Sequence, residues 1–300
     1  MEYNKLPDLK VLATLKAVVE LGGVHEASQA MNVGQPAVTK RLRTLDSCYG
    51  VSLMQREGRR LELTAAGEKV YQFARLMIDH QISLMDNLDG LSGGQTTLKL
   101  EVTFAIGEHV LPEKLLEFAE AWPRYRVISR MGYTRRIQTR LATGLVDMAL
   151  LEQAPKHPDI LLQKWIDDEL ILVCGRNHPL RGSDGMQITE LKSFDYILRE
   201  KNSSMRSGLD IALNKLNIDK LPIVMEVGST HAIVEILGRG RYVSFLPRFA
   251  VQEALDTGEL FHIKVNDLKI ERTLWIARSR ANINNPAADA FVEVLLDKRL

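Results

Sequence analysis

The chain has 300 residues, which at roughly 150 residues per domain suggests about two compact units. Apolar residues make up 45% and charged residues 26%, a mixture that excludes wholesale disorder, and no apolar run approaches the roughly 18 residues a membrane span needs. The formal net charge is +1, so any basic surface has to be local. The N-terminal MEYNKLPDLK lacks the apolar core of a signal peptide, and the expected location is the cytoplasm, with no membrane partner. Cys48 and Cys174 form neither a CxxC pair nor a disulfide framework and read as two buried thiols.

Residues 7–21 place Leu9, Leu12, Leu15, Val18 and Val19 at spacings of three and four, which predicts an amphipathic helix with Pro7 in its first turn and Gly22-Gly23 at its end. A short helix from His25 to Met31 follows, then the tight Asn32-Val33-Gly34 connection and a second helix opening at Gln35-Pro36. That second helix buries Ala37, Val38, Leu42 and Leu45 and turns Gln35, Pro36, Thr39, Lys40 and Arg43 outward, and Gly50 stops it. Helix, short turn, helix with an earlier supporting helix is the layout of a helix-turn-helix. From Gln35 to Arg60 there are six cations against two anions, a local charge of +4. Alternating Leu53, Leu61 and Leu63 around Glu57-Gly58 predict a small hairpin, a wing whose tip carries Arg56, Arg59 and Arg60. Such a helix enters a DNA major groove while such a wing neutralises phosphates.

Thr64 to Leu91 reads as a long helix capped by Thr64. Its Val70, Ala74, Met77, Gln81, Leu84, Leu88 and Leu91 form a heptad seam, the pattern of a dimerisation helix, although a helix packed on its own domain shows the same stripe. Ser92-Gly93-Gly94-Gln95-Thr96 is the clearest linker. Beyond it, strands are expected at Leu98–Phe104, Tyr125–Met131, Asp147–Leu151, Ile171–Cys174, Asp195–Leu198 and Tyr242–Phe245. Helices are expected at Pro112–Ala121, Ile137–Thr143, Ser207–Leu216 and Thr230–Leu237. Alternating β and α predicts a parallel sheet in two α/β lobes, with a ligand cleft between them.

Ala27 to Gly67, ASQAMNVGQPAVTKRLRTLDSCYGVSLMQREGRRLELTAAG, resembles the winged helix-turn-helix of the LysR-type transcriptional regulators in its QPAV helix start, its Leu45-Asp46 pair, its Gly50 stop and its closing LTAAG. The order of parts over essentially the whole chain is also similar. One departure is Gly34, where the family usually has a serine; glycine supplies no hydroxyl to the helix or to a phosphate.

The resemblance implies an N-terminal winged helix-turn-helix over 1–64, a linker helix over 65–91, a hinge at 92–96 and a two-lobed α/β effector domain over 97–300. That domain would be similar to type II periplasmic binding proteins, with lobe I at about 97–166 and 268–300 and lobe II at about 167–267. By motif position the implied effector contacts are Thr103, Ala105, Tyr133, Thr134, Arg135, Ser203, Ser204, Arg206, Ser229, Thr230 and His231. Ser203-Ser204 and Ser229-Thr230 each open a helix, which favours an anion. The implied function is a sequence-specific regulator of a bacterial type that binds double-stranded promoter DNA as a homodimer or homotetramer and meets RNA polymerase there. Its activity would be modulated by a small anionic metabolite, with no cofactor or metal.

The alternatives are an enzyme or a solute-binding module built on the two-lobed domain. GxGxxG after a strand, GxxxxGK[ST], HExxH and GxSxG are all missing, and Cys174 to His178 has no further ligands at zinc spacing.

Overall fold

The computed structural model describes residues 6–57, 60–91, 95–183, 185–218 and 220–297, without the side chains at 56, 57, 60, 83, 86, 87 and 89–91. The chain divides into two compact units, Met1–Gly93 and Gly94–Leu300.

The first unit opens with α1 (Leu9–Leu21), α2 (Val24–Ala30) and α3 (Gln35–Tyr49). Pro7 lies outside the first turn of α1: Asp8 is the N-cap, its carboxylate accepting from the Lys10 N–H at 2.9 Å, a bond for which the proline ring has no acceptor. Gly22 closes α1 and Gly50 closes α3, with φ of 88° and 69°, a left-handed conformation that costs glycine nothing. Leu12, Leu15, Leu45 and Leu53 are buried together, and Val38 joins Val18 and Ala27 in a second cluster, so α3 packs by its apolar side as its periodicity predicts. The wing is an antiparallel hairpin of β1 (Met54–Glu57) and β2 (Arg60–Leu63). Asp46 anchors its start, accepting from the Leu53 N–H at 2.9 Å.

Helix α4 (Ala65–Leu91) begins under Thr64, whose hydroxyl accepts from Gly67 N–H at 3.0 Å and donates to Ser52 O at 2.8 Å. A Cβ on Gly67 would fall 1.8 Å from the Leu53 carbonyl oxygen, so the LTAAG glycine is where the helix passes against the wing backbone. The heptad seam divides in two. Val70 and Ala74 pack on α1 inside the unit's own core, whereas Met77, Gln81, Leu84 and Leu88 are exposed, and the side chain of Leu91 is outside the described residues.

The second unit begins with β3 (Thr97–Val102), α5 (Phe104–His109), α6 (Leu111–Ala121), β4 (Arg126–Met131), α7 (Thr134–Ala142) and β5 (Met148–Leu151), followed by the 16-residue β6 (Ile160–Gly175). Then come β7 (Tyr196–Arg199), α8 (Ser204–Lys215), β8 (Ile223–Val227), α9 (Thr230–Arg239), β9 (Val243–Pro247), α10 (Arg248–Asp256), β10 (Leu260–His262), β11 (Ile270–Ser279) and α11 (Pro286–Leu296). The sheet is mixed rather than parallel. Pairs β3/β4, β3/β5, β7/β8 and β7/β9 are parallel, but β6 pairs antiparallel with β9, β10 and β11. Sequence reading finds only the apolar end of β6, because Gln163 to Glu169 lacks the apolar run expected of a central strand.

Strands β6 and β11 run side by side from one lobe into the other. One lobe is built on β4-β3-β5-β11 and the first half of β6, the other on the second half of β6 with β9-β7-β8 and β10. Each has its own core: Leu100, Phe118, Met148 and Phe291 in the first, Val173, Tyr196, Ile233 and Phe245 in the second. Strand β3 stops at Val102 rather than Phe104. Thr103 turns the chain, and Phe104 becomes the first residue of a short helix whose ring stands at the lobe boundary.

Candidate functional site

Two surfaces carry functional side chains. On the first unit, Gln35, Pro36, Thr39, Lys40 and Arg43 line one continuous shallow depression along the outer face of α3, and all five are exposed. Their spacing of three and four puts them on one helical stripe opposite Val38 and Leu45. The stripe's amide is braced: Gln35 Nε2 lies 2.9 Å from His25 Nδ1 of α2. Arg41, one step around the helix, points to Thr14 of α1 and is not part of the stripe. Gly34 caps α3 in extended geometry without a side-chain bond. Strands β1 and β2 put Arg56 and Arg60 on the wing by register, but their side chains, and Arg59 entirely, lie outside the described residues.

On the second unit the expected effector residues gather between the lobes, and the cleft is bridged by several side-chain contacts. Tyr133, the N-cap of α7, donates its hydroxyl at 3.0 Å to Glu200 of the other lobe and packs edge-on against Phe104 with ring centroids 5.2 Å apart. Arg199, at the end of β7, is 2% exposed. Its Nε and Nη2 donate to the two carboxylate oxygens of Glu200 at 2.8 and 3.0 Å, and its Nη1 donates to Thr230 Oγ1 at 3.0 Å. Its guanidinium also lies 5.4 Å from the centre of the Phe104 ring. A buried cation needs this full complement, because an unpaired one is strongly unfavourable. Burial alone would raise the Glu200 pKa, but the Arg199 hydrogen bonds and charge hold it below the usual carboxylate value. The hydrogen bond from Tyr133 to Glu200 pushes the phenol pKa up.

The two helix starts singled out in the sequence also hold carboxylates. Ser204, at the start of α8, donates at 2.6 Å to Glu152, which lies 3.6 Å from Arg272 Nη1. Ser229, the N-cap of α9, donates at 3.0 Å to Glu108, whose second oxygen accepts from the His231 N–H at 3.3 Å. Ser203 caps α8 internally, accepting from Arg206 N–H. Thr103 and Thr134 each have a buried hydroxyl oxygen with no hydrogen-bond partner among the described residues, and Ala105, two positions after Thr103, is buried. Two expectations are not matched in this way. Arg206 is buried and engaged with Asp210, Glu226 and the Arg199 carbonyl, so it braces the β7–α8 junction, and Arg135 is exposed. Phe104, Glu108, Glu152, Arg199 and Glu200 were not identified from sequence. The nearest signal was the charged Arg199-Glu200 pair directly after the apolar Tyr-Ile-Leu. Among the described residues no group of three or more His, Cys, Asp or Glu could hold a metal ion, and no helix is long and apolar enough to cross a membrane.

The family described as "LysR substrate binding domain" matches residues 92–299, and "Bacterial regulatory helix-turn-helix protein, lysR family" matches residues 9–68. The chain belongs to the LysR family. It is therefore a DNA-binding transcriptional regulator with an effector domain, and not an enzyme. One LysR relative, a probable RuBisCO transcriptional regulator of Cyanophora paradoxa, is 25% identical over 305 residues, covering 99% of this chain and 94% of the relative. The structure of full-length CbnR complexed with its target DNA is similar at a TM-score of 0.72 and 20% identity, covering 96% of this chain and 98% of that one. The regulatory domain of Synechocystis PCC6803 CcmR in complex with 2-PG matches at a TM-score of 0.61 and 23% identity, over 68% of this chain and 98% of that one.

Proposed function

We propose that this LysR regulator binds a dyad-symmetric promoter site as a homodimer joined through α4, and as a tetramer of two such dimers. Each pair of α3 helices enters successive major grooves roughly one helical turn apart. Gln35, Pro36, Thr39 and Arg43 face bases, while Lys40 and the wing residues Arg56, Arg59 and Arg60 meet phosphates. A small anionic metabolite enters the interlobe cleft, where it meets Thr103, Tyr133, Thr134 and the starts of α8 and α9. It favours one of two oligomer geometries and so alters DNA bending and RNA polymerase access. The observation that carries the DNA reading is the exposed stripe of Gln35, Thr39, Lys40 and Arg43 on α3, opposite the side that buries Val38 and Leu45. CbnR held on its target DNA and a CcmR regulatory domain holding 2-PG support the pairing of DNA with a small ligand.

The test is promoter binding by fluorescence anisotropy with single substitutions. Arg43→Ala is expected to cost about 1–3 kcal/mol on the preferred site and to relax sequence preference, whereas Lys40→Ala lowers affinity on all sequences and reduces the salt slope by about 1. Equal losses on every sequence from both substitutions would overturn the assignment of roles.

A further inference from the structure

Arg199 is a buried cation in the cleft whose Nε and Nη2 both donate to one carboxylate, Glu200, and the partners differ in burial. The Arg199 side chain is 2% exposed, while that of Glu200 is 22% exposed. Three fixtures hold the guanidinium in place without Glu200: Thr230 on Nη1, the Phe104 ring across its face, and the end of a fully buried strand. Glu200 is held by Arg199 and by one hydroxyl from the opposite lobe, Tyr133, itself exposed. The cation is thus a fixture and the carboxylate a tenant at the edge of the cleft. If the carboxylate swings out to water, Arg199 is left buried and unpaired, which is tolerable only when another anion takes its place.

We propose that Glu200 is a built-in competitor for the effector: its carboxylate occupies the place on Arg199 that a carboxylate or phosphate of the ligand takes, and Tyr133 latches it there from the other lobe. The inference rests on the interlobe cleft being the effector site. Binding is then an exchange of one anion for another, so Arg199 never loses its charge partner, and the affinity of the ligand is lowered by the occupancy of Glu200. The exchange also frees Tyr133, so arrival of an anion on Arg199 removes one of the bonds that join the lobes. An uncharged or cationic ligand would gain nothing from Arg199 and would leave the latch closed.

The experiment measures inorganic phosphate binding to the full chain by calorimetry and by the rise in unfolding temperature, for the native protein, Glu200→Gln, Glu200→Asp and Arg199→Gln. The expected result is that Glu200→Gln binds phosphate about tenfold more tightly than the native chain, with Glu200→Asp in between, because the competitor is removed or shortened. Arg199→Gln is expected to bind none. Should Glu200→Gln be too unstable to handle alone, its rescue by phosphate, a larger rise in unfolding temperature than the native chain shows, reads the same exchange, and Glu200→Asp supplies the affinity. Binding unchanged or weakened in both Glu200 variants, with Arg199→Gln still inactive, would overturn the competitor while leaving the cleft as the anion site. Equal binding by all four proteins, or by none, would overturn both.

Discussion

At the residue scale, Gly34 is the most direct case of a local rule left unused. It caps α3 at φ −71° and ψ 148°, an ordinary extended conformation, and a Cβ there would meet only Pro36 Cδ at 3.6 Å. Nothing in the backbone or the surroundings requires glycine, so Gly34→Ser is expected to stabilise the first unit by about 0.5–1 kcal/mol through a cap bond and a less flexible unfolded chain. A urea-unfolding midpoint that rises checks this, and one that falls contradicts it. Gly67 is the opposite case, since its added Cβ would collide with the Leu53 carbonyl. Gly67→Ala is expected to lower the midpoint by the equivalent of about 1–3 kcal/mol. The two glycines look alike in the sequence and differ only in what approaches them, which is a nonlocal fact.

At the element scale, one apolar stripe of α4 is half buried in its own unit and half exposed. Val70 and Ala74 face α1, while Met77, Leu84 and Leu88 are exposed on the same seam, which is where the proposed homodimer would join. Leu84→Glu is accordingly expected to shift the sedimentation profile toward smaller species with an unchanged unfolding midpoint of the first unit. Leu45→Ala, in contrast, is expected to cost that unit about 2–5 kcal/mol, because Leu45 is fully buried against α1. A Leu84→Glu protein that unfolds early instead of dissociating would place the lower seam inside the unit's own fold.

The first unit was legible from sequence because its signals are local: helical periodicity, glycine stops, and the Thr64 cap all lie within a few residues of what they control. Strand β11 and the first part of β6 were not, because half-buried strands shared between two lobes carry neither a clean alternation nor an apolar run; only the buried Ile171–Cys174 end of β6 was read. The cleft was half legible. Ser204 and Ser229 were found as helix openers, but their partners Glu152 and Glu108 lie 52 and 121 positions away, and only folding reveals that carboxylates stand on both.

At the scale of the whole molecule, three histidines contribute to how stability depends on pH. His109, His178 and His262 all have pKa values lowered by burial, as the first cause, so the fold disfavours their protonated forms. A lowered histidine costs no stability above its unfolded pKa of about 6.5; below that value the unfolded chain takes the proton and the folded one does not. The unfolding temperature of the second unit is therefore expected to fall between pH 7 and pH 5, before most carboxylates titrate, and His109→Gln is expected to flatten part of that fall. The central claim is that the chain reads promoter sequence through α3, and it is tested most directly by selecting genomic fragments with the purified full-length protein at two salt concentrations, native and Arg43→Ala in parallel. The account predicts a few dyad-symmetric sites that survive the higher salt with the native protein and blur with Arg43→Ala, whereas sequence-independent recovery that collapses with salt in both would contradict it.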